Sequence, residues 1–171
     1  MVHPNSQFGK NYPSKIECFI ALGGNHQKTF DTMCKAIKSI TYLQGVFDVK
    51  TSGLYLTTPV SSIPQGDFLN AAMRLTTTLS PLALFDSLEE IEAHLGKEKK
   101  SKEAPRLIDL DLISYGNEVL ESKRLTLPHP KWKERLFVLK PLSELVDLKE
   151  MLMHFDNKYR EVVTLLPHPL P

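Results

Sequence analysis

Cysteine is scarce in this 171-residue chain, which carries only Cys18 and Cys34. Two thiols exclude a disulfide-dense secreted scaffold. Cys18 lies in an apolar strand-like run and Cys34 on the apolar side of an expected helix, so both read as buried and reduced. Net charge is nearly absent, at +1 from 21 Lys+Arg against 20 Asp+Glu. No overall basic field therefore argues for a nucleic-acid partner. No apolar run approaches the roughly 18 residues of a membrane span. The first fifteen residues, MVHPNSQFGKNYPSK, lack the apolar segment of a signal peptide. The expectation is a cytoplasmic protein that binds neither membrane nor nucleic acid. A phosphate-binding glycine loop is missing too: in ALGGNHQKT, Gln27 stands where a P-loop needs glycine, and the third glycine of a dinucleotide fingerprint is absent. The glycine pair reads as a tight strand-to-helix turn able to line a site.

What is present is one ordinary globular domain, 42% hydrophobic and 24% charged. Residues 1–15 read as a flexible lead-in, 16–149 as the domain and 150–171 as a weakly patterned tail. IECFIALGG is a buried-strand pattern. The helix after it carries Phe30, Met33, Cys34, Ile37 and Ile40 at helical spacing, with Asn25 as a candidate cap. VFDVKTSGLYLTT and DFLNAAMRLTTTL are strand candidates. Ser80 and Pro81 open a second helix with a Leu84, Leu88, Ile91, Leu95 stripe, and Gly96 closes it. After the Asp-containing strand, Gly116-Asn117 marks a turn, and Pro130 opens a last helix. The order strand, helix, strand, strand, helix, strand predicts an α+β fold. It is the ferredoxin-like split β-α-β arrangement, a mainly antiparallel sheet with helices on one face.

The stretch PRLIDLDLISYG puts two acids in an apolar strand. Side chains alternate, so Leu107, Asp109, Asp111 and Ile113 share one face. Two ionised carboxylates about 7 Å apart repel by about 2 kcal/mol at an effective dielectric near 20. A cation between them removes that cost, and two hard oxygen ligands suit Mg²⁺ that also binds phosphate. Ordinary acids on an exposed strand are the plain alternative. KEKKSKEAPR leads into this strand with five cations. Having no apolar anchor from Lys97 to Glu103, it is expected to be disordered alone and to close over phosphates once substrates bind. Phe68 and Asn70 share one strand face. A buried Asn70 needs hydrogen-bond partners, which a stacked heterocycle can supply.

In this order and spacing, ALGGN, DFLNAA, PRLIDLDLISYGN and LTLPHP resemble the 6-hydroxymethyl-7,8-dihydropterin pyrophosphokinases of folate biosynthesis, over about Ile16 to Leu145. The Arg-x-x-Asp-x-Asp element followed by Leu-x-x-Pro-His carries most of the specificity. The resemblance implies the ferredoxin-like fold and transfer of the terminal diphosphate of ATP to the pterin hydroxymethyl group, with release of AMP. It implies that Asp109 and Asp111 hold two Mg²⁺ ions on the ATP phosphates. Arg106 and Lys97 would join them in catalysis, and Glu92, Lys97, Arg106, Leu112, Arg124, Thr126, His129 and Arg135 would form the nucleotide site. Thr57, Thr58, Val60, Phe68, Asn70 and Phe137 would form the pterin pocket, with the two phenylalanines sandwiching the ring.

The chain departs from the family pattern in places. Lys97 replaces a usual arginine and loses its bidentate fork. Phe68 replaces a frequent tyrosine, Thr58 a frequent proline, and Glu103 stands near a frequent tryptophan in a loop one residue shorter. Some members are fused to dihydropteroate synthase, and the end LLPHPLP is compatible with a linker to it. Two rival classes compete with this reading. The first is an Asp-x-Asp nuclease or glycosyltransferase, of which a nuclease calls for more carboxylates around its metals and a surface basic stripe. A non-catalytic ferredoxin-like module binding RNA calls for an aromatic RNP pattern, which is not found.

Overall fold

The computed structural model describes residues 14–58, 66–97, 105–157 and 162–171. The Val60 expectation, the closing-loop expectation over 98–104 and most of the lead-in fall outside them. Strand β1 (Ile16–Gly24) runs into helix α1 (Thr29–Thr41), then β2 (Val46–Thr51), β3 (Tyr55–Thr58), β4 (Phe68–Thr77), α2 (Pro81–His94) and β5 (Asp109–Tyr115). A small ribbon of β6 (Leu120–Glu121) and β7 (Thr126–Leu127) follows. A 3₁₀ turn (Trp132–Glu134), α3 (Leu136–Leu142), α4 (Lys149–Met153) and β8 (Val162–Leu165) complete the chain.

The sheet order is β5-β1-β4-β3-β8, with β2 also on β4, and each pairing is antiparallel. With β2 and β3 as one interrupted strand, this is the ferredoxin-like order. The single strand expected over VFDVKTSGLYLTT breaks at Ser52–Leu54. There Ser52 keeps contact with β4 by another route: its N–H donates to Ala72 O and its Oγ accepts the Ala72 N–H. The tail, weakly patterned in sequence, supplies β8 as an edge strand on β3.

Helices lie on both faces rather than on one. Cys18, Ile20 and Leu22 of β1, Leu110 and Leu112 of β5 and Met33, Ile37 and Ile40 of α1 pack with Leu84, Leu88 and Ile91 of α2 in the larger core. The opposite face carries Ala21, Ala72 and Ile113 under Val138 and Leu142 of α3. The alternation of β5 thus sends its leucines to one core and its acids to the other face. Ser80 accepts the Ala83 N–H and Pro81 follows it, as expected for the α2 start. Gly96 takes φ +94° just past the helix end. Asn25 is not the cap of α1; Lys28 occupies that position without a side-chain bond. Cys18 is buried and Cys34 half-buried, both as free thiols. Burial pushes the Cys18 thiol up to about 12, which keeps it unreactive.

Candidate active site

Register across four strands defines the site. Asp109 of β5 lies opposite Gly23 of β1, Gly23 opposite Asn70 of β4, and Asn70 opposite Tyr55 of β3. In the next row, Asp111 lies opposite Ala21 and Ala21 opposite Ala72. All these positions face the α3 side. Two strand spacings put Asp109 about 10 Å from Asn70, and Gly23 is the residue between them in that row. Ala21 and Ala72 are packed under Val138 and Leu142 of α3, so it is Gly23, half-buried and without a side chain, that leaves room for a ligand spanning the two polar groups. A Cβ on Gly23 would stand 3.0 Å from Asn70 Oδ1.

At the acidic end, Lys97 leaves the end of α2 and places Nζ 2.8 Å from Asp109 Oδ1 and 2.7 Å from Glu92 Oε2. The other Asp109 oxygen takes Arg106 Nη1 at 3.1 Å. Glu92, 8% exposed, also accepts the Leu110 N–H at 2.5 Å and so ties α2 to the Asp strand. Burial pushes the Glu92 carboxyl up, and Lys97 and the Leu110 N–H bring it back only in part. Burial alone would lower Lys97, but its bonds to Asp109 and Glu92 win and hold the ammonium above its usual range.

Asp111 is more enclosed. Burial pushes its carboxyl up, His129 pulls it down, Asp109 pushes it up again, and Arg135 and Lys97 pull it down. His129 is set beside β5 by its own N–H, which donates to Ile113 O at 2.8 Å. Its Nδ1 accepts the Lys131 N–H at 3.3 Å, so the neutral ring carries its proton on Nε2. Burial lowers the His129 pKa and Asp111 raises it. Arg135 caps α3 with its guanidinium carbon 5.7 Å from the Phe137 ring centre.

At the amide end, the buried Asn70 donates from Nδ2 to Thr57 Oγ1 at 2.8 Å. Phe68, opposite Thr57, opens β4 and shares the Asn70 face. Phe137 packs in the first turn of α3 above that face. Thr58 ends β3 and is exposed.

A protein-family model described as 7,8-dihydro-6-hydroxymethylpterin-pyrophosphokinase matches residues 19–147. The 2-amino-4-hydroxy-6-hydroxymethyldihydropteridine pyrophosphokinase of Haemophilus influenzae is 38% identical over 130 residues, covering 76% of this chain and 81% of that protein. The chain belongs to the 7,8-dihydro-6-hydroxymethylpterin-pyrophosphokinase family. It is therefore a transferase, a pyrophosphokinase of folate biosynthesis. The pyrophosphokinase of Bacillus subtilis is 36% identical over 127 residues, covering 74% of this chain and 76% of that protein. The bifunctional protein FolKE of Lactococcus lactis subsp. cremoris is 36% identical, and the chain spans 37% of it. A solved HPPK-DHPS in complex with substrates shares the fold at TM-score 0.57 and 14% identity; 77% of this chain aligns with 40% of that one.

For this pyrophosphokinase, direct contacts join Glu92, Lys97, Arg106 and Asp109, and mutual electrostatics join Asp111, His129 and Arg135 to them. Thr57, Asn70, Phe68 and Phe137 form the other end. Three further expected nucleotide residues lie outside these recorded contacts. Leu112 is 3% exposed with its side chain in the larger core, which leaves only its backbone to a ligand. Arg124 reaches the outer side of α2, pairing with Asp86 at 2.7 Å and Glu89 at 2.8 Å. Thr126 sits in the β6–β7 ribbon. Sequence reasoning missed the place of Gly23 between Asp109 and Asn70, because strand pairing alone brings those three positions into one row. No helix among the described residues is long and apolar enough to cross a membrane.

Proposed function

We propose that this pyrophosphokinase transfers the terminal diphosphate of ATP to the hydroxymethyl group of 6-hydroxymethyl-7,8-dihydropterin and releases AMP. The observation that carries the reading is the shared face: a carboxylate pair flanked by cations at one end, a buried amide–hydroxyl pair at the other, and Gly23, without a side chain, between them. The pterin edge would bond to Asn70 and Thr57, with Phe68 and Phe137 stacking on its ring. Its hydroxymethyl arm then points past Gly23 toward the acids. The hydroxyl oxygen bonds to the β-phosphorus, the bond from that phosphorus to the α-phosphate oxygen breaks, AMP leaves with that oxygen, and the hydroxyl proton passes to solvent.

Asp109 and Asp111 fit a divalent ion by donor chemistry: two hard carboxylates on one side of a rigid strand. Two Mg²⁺ ions held there would neutralise the phosphate oxygens and keep the transferring group in line. Among the described residues no set of three or more His, Cys, Asp or Glu gathers, so phosphates and water would complete the shell. Lys97 and Arg106, already beside Asp109, stabilise negative charge on the diphosphate. Glu92 fixes Lys97 and the start of β5. His129 and Arg135, whose charges act on Asp111, would serve as nucleotide contacts. The expected setting is the cytoplasm, ahead of or fused to dihydropteroate synthase; that HPPK-DHPS structures share this fold supports the link to that enzyme. A coupled assay decides: AMP release must require both Mg²⁺ and the pterin alcohol. AMP release that ignores the alcohol would overturn the reading.

A further inference from the structure

The turn between β1 and α1 is bonded to a segment 81 residues away. The β1–β5 ladder ends at the Gly23–Asp109 pair, so the backbone just before Asp109 lies beyond the regular strand. Its polar groups still need partners. Asn25 supplies two of them for a single residue: its Oδ1 accepts the Arg106 N–H at 2.6 Å, and its own N–H donates to Arg106 O at 2.9 Å. Thr29 Oγ1 donates to Leu107 O at 3.1 Å and accepts the His26 N–H at 2.9 Å. Gly24 permits this approach: a Cβ there would stand 2.8 Å from Leu107 O and 2.9 Å from Arg106 O. Gly24 therefore serves contact between two chain segments.

We propose that Asn25, backed by Thr29, is the positioning residue for Arg106, fixing the arginine backbone so that its guanidinium stays beside Asp109. The inference rests on the function proposed above. Arg106 needs such support because its side chain is 54% exposed and its recorded charge partner is Asp109 at 3.1 Å. A long exposed side chain on an unfixed backbone would spend little time in that pose. A guanidinium displaced by an ångström loses much of its effect on a transferring group. Asparagine suits the place, since its amide oxygen brackets the Arg106 N–H without adding a charge near Asp109.

The test is a kinetic double-mutant cycle on the whole protein with Arg106→Ala. Asn25→Ala should lower kcat about ten- to a hundredfold, with KM for ATP and for the pterin changed by less than about twofold. In the Arg106→Ala background the same substitution should change kcat by less than about twofold, because its effect passes through the arginine. If Asn25→Ala does not fold, the same cycle with Thr29→Val decides. Hydrogen exchange gives a second reading: the Arg106 amide should be protected in the native protein and lose protection in Asn25→Ala, with the Leu110 amide unchanged. Equal loss of kcat in both backgrounds, or an equally protected Arg106 amide, would overturn the inference. A native protein without pterin-dependent AMP release would instead overturn the function reading, so the two failures are distinct.

Discussion

Lys97 Nζ lies 2.8 Å from Asp109 Oδ1, joining the end of α2 to the first residue of the Asp strand. The same ammonium holds the buried Glu92. Changing Lys97 to Met leaves both carboxylates without this cation. The side chain is 37% exposed, so solvent screening limits the cost. Urea unfolding should show a loss of about 1–2 kcal/mol, and turnover should fall more steeply. Lys97→Arg should keep most of the stability. A Met variant as stable as the native protein would mean the bridge is incidental.

The two aspartates should behave differently on removal. Asp111 is held in an environment that burial makes unfavourable for charge, so Asp111→Asn should be at least as stable as the native protein without ligand. Asp109→Ala should be less stable, because it abandons Lys97 and Arg106. Both should lose at least about a hundredfold in turnover at saturating Mg²⁺, in keeping with lost charge stabilisation of several kcal/mol. Near-native turnover in Asp111→Asn would remove the metal assignment.

The amide end should govern pterin and leave ATP alone. Asn70→Ala should weaken pterin binding by roughly 1–3 kcal/mol, since ring groups lose their partner. Gly23→Ala should act in the same direction, because the new Cβ stands 3.0 Å from Asn70 Oδ1 and narrows the space beside it. Calorimetric titration of each ligand is the check. A Gly23→Ala protein that binds pterin normally would mean the ligand does not cross that position.

Tyr55 offers a pH test away from the acids. Its hydroxyl donates to Glu144 Oε1 at 2.5 Å, while the Gly53 N–H donates to Oε2 at 3.0 Å. Burial, then the bond to Glu144, raises the phenol pKa above its usual value. The folded state therefore keeps a proton that the unfolded chain gives up near pH 10. This stabilisation is complete below about pH 10 and fades as pH rises toward the folded value. Tyr55→Phe should cost about 1 kcal/mol at pH 7, and the gap from native should shrink by pH 11. A constant gap in urea midpoints across that range would contradict the bond.

The linear sequence determined the elements whose signals are local. The α2 cap at Ser80-Pro81, the helical stripe of Leu84, Leu88 and Ile91, and the alternation that separates Asp109 and Asp111 from Leu110 and Leu112 follow from periodicities of 3.6 and 2. The order of those elements was enough for the ferredoxin-like sheet. Tertiary structure alone decided what strand pairing and chain crossing create. It drew Asn25 away from α1 to bracket Arg106, because an unpaired backbone N–H beyond the ladder outweighs a helix cap that nearby groups can replace. It put α3 on the second face, where Val138 and Leu142 bury against Ala21, Ala72 and Ile113. It recruited Val162–Leu165 to the free side of β3, where exposed Val162 and Leu165 gave no period to read. It also set Gly23 of β1 between Asp109 of β5 and Asn70 of β4, since register is a property of two strands together and neither segment encodes it alone.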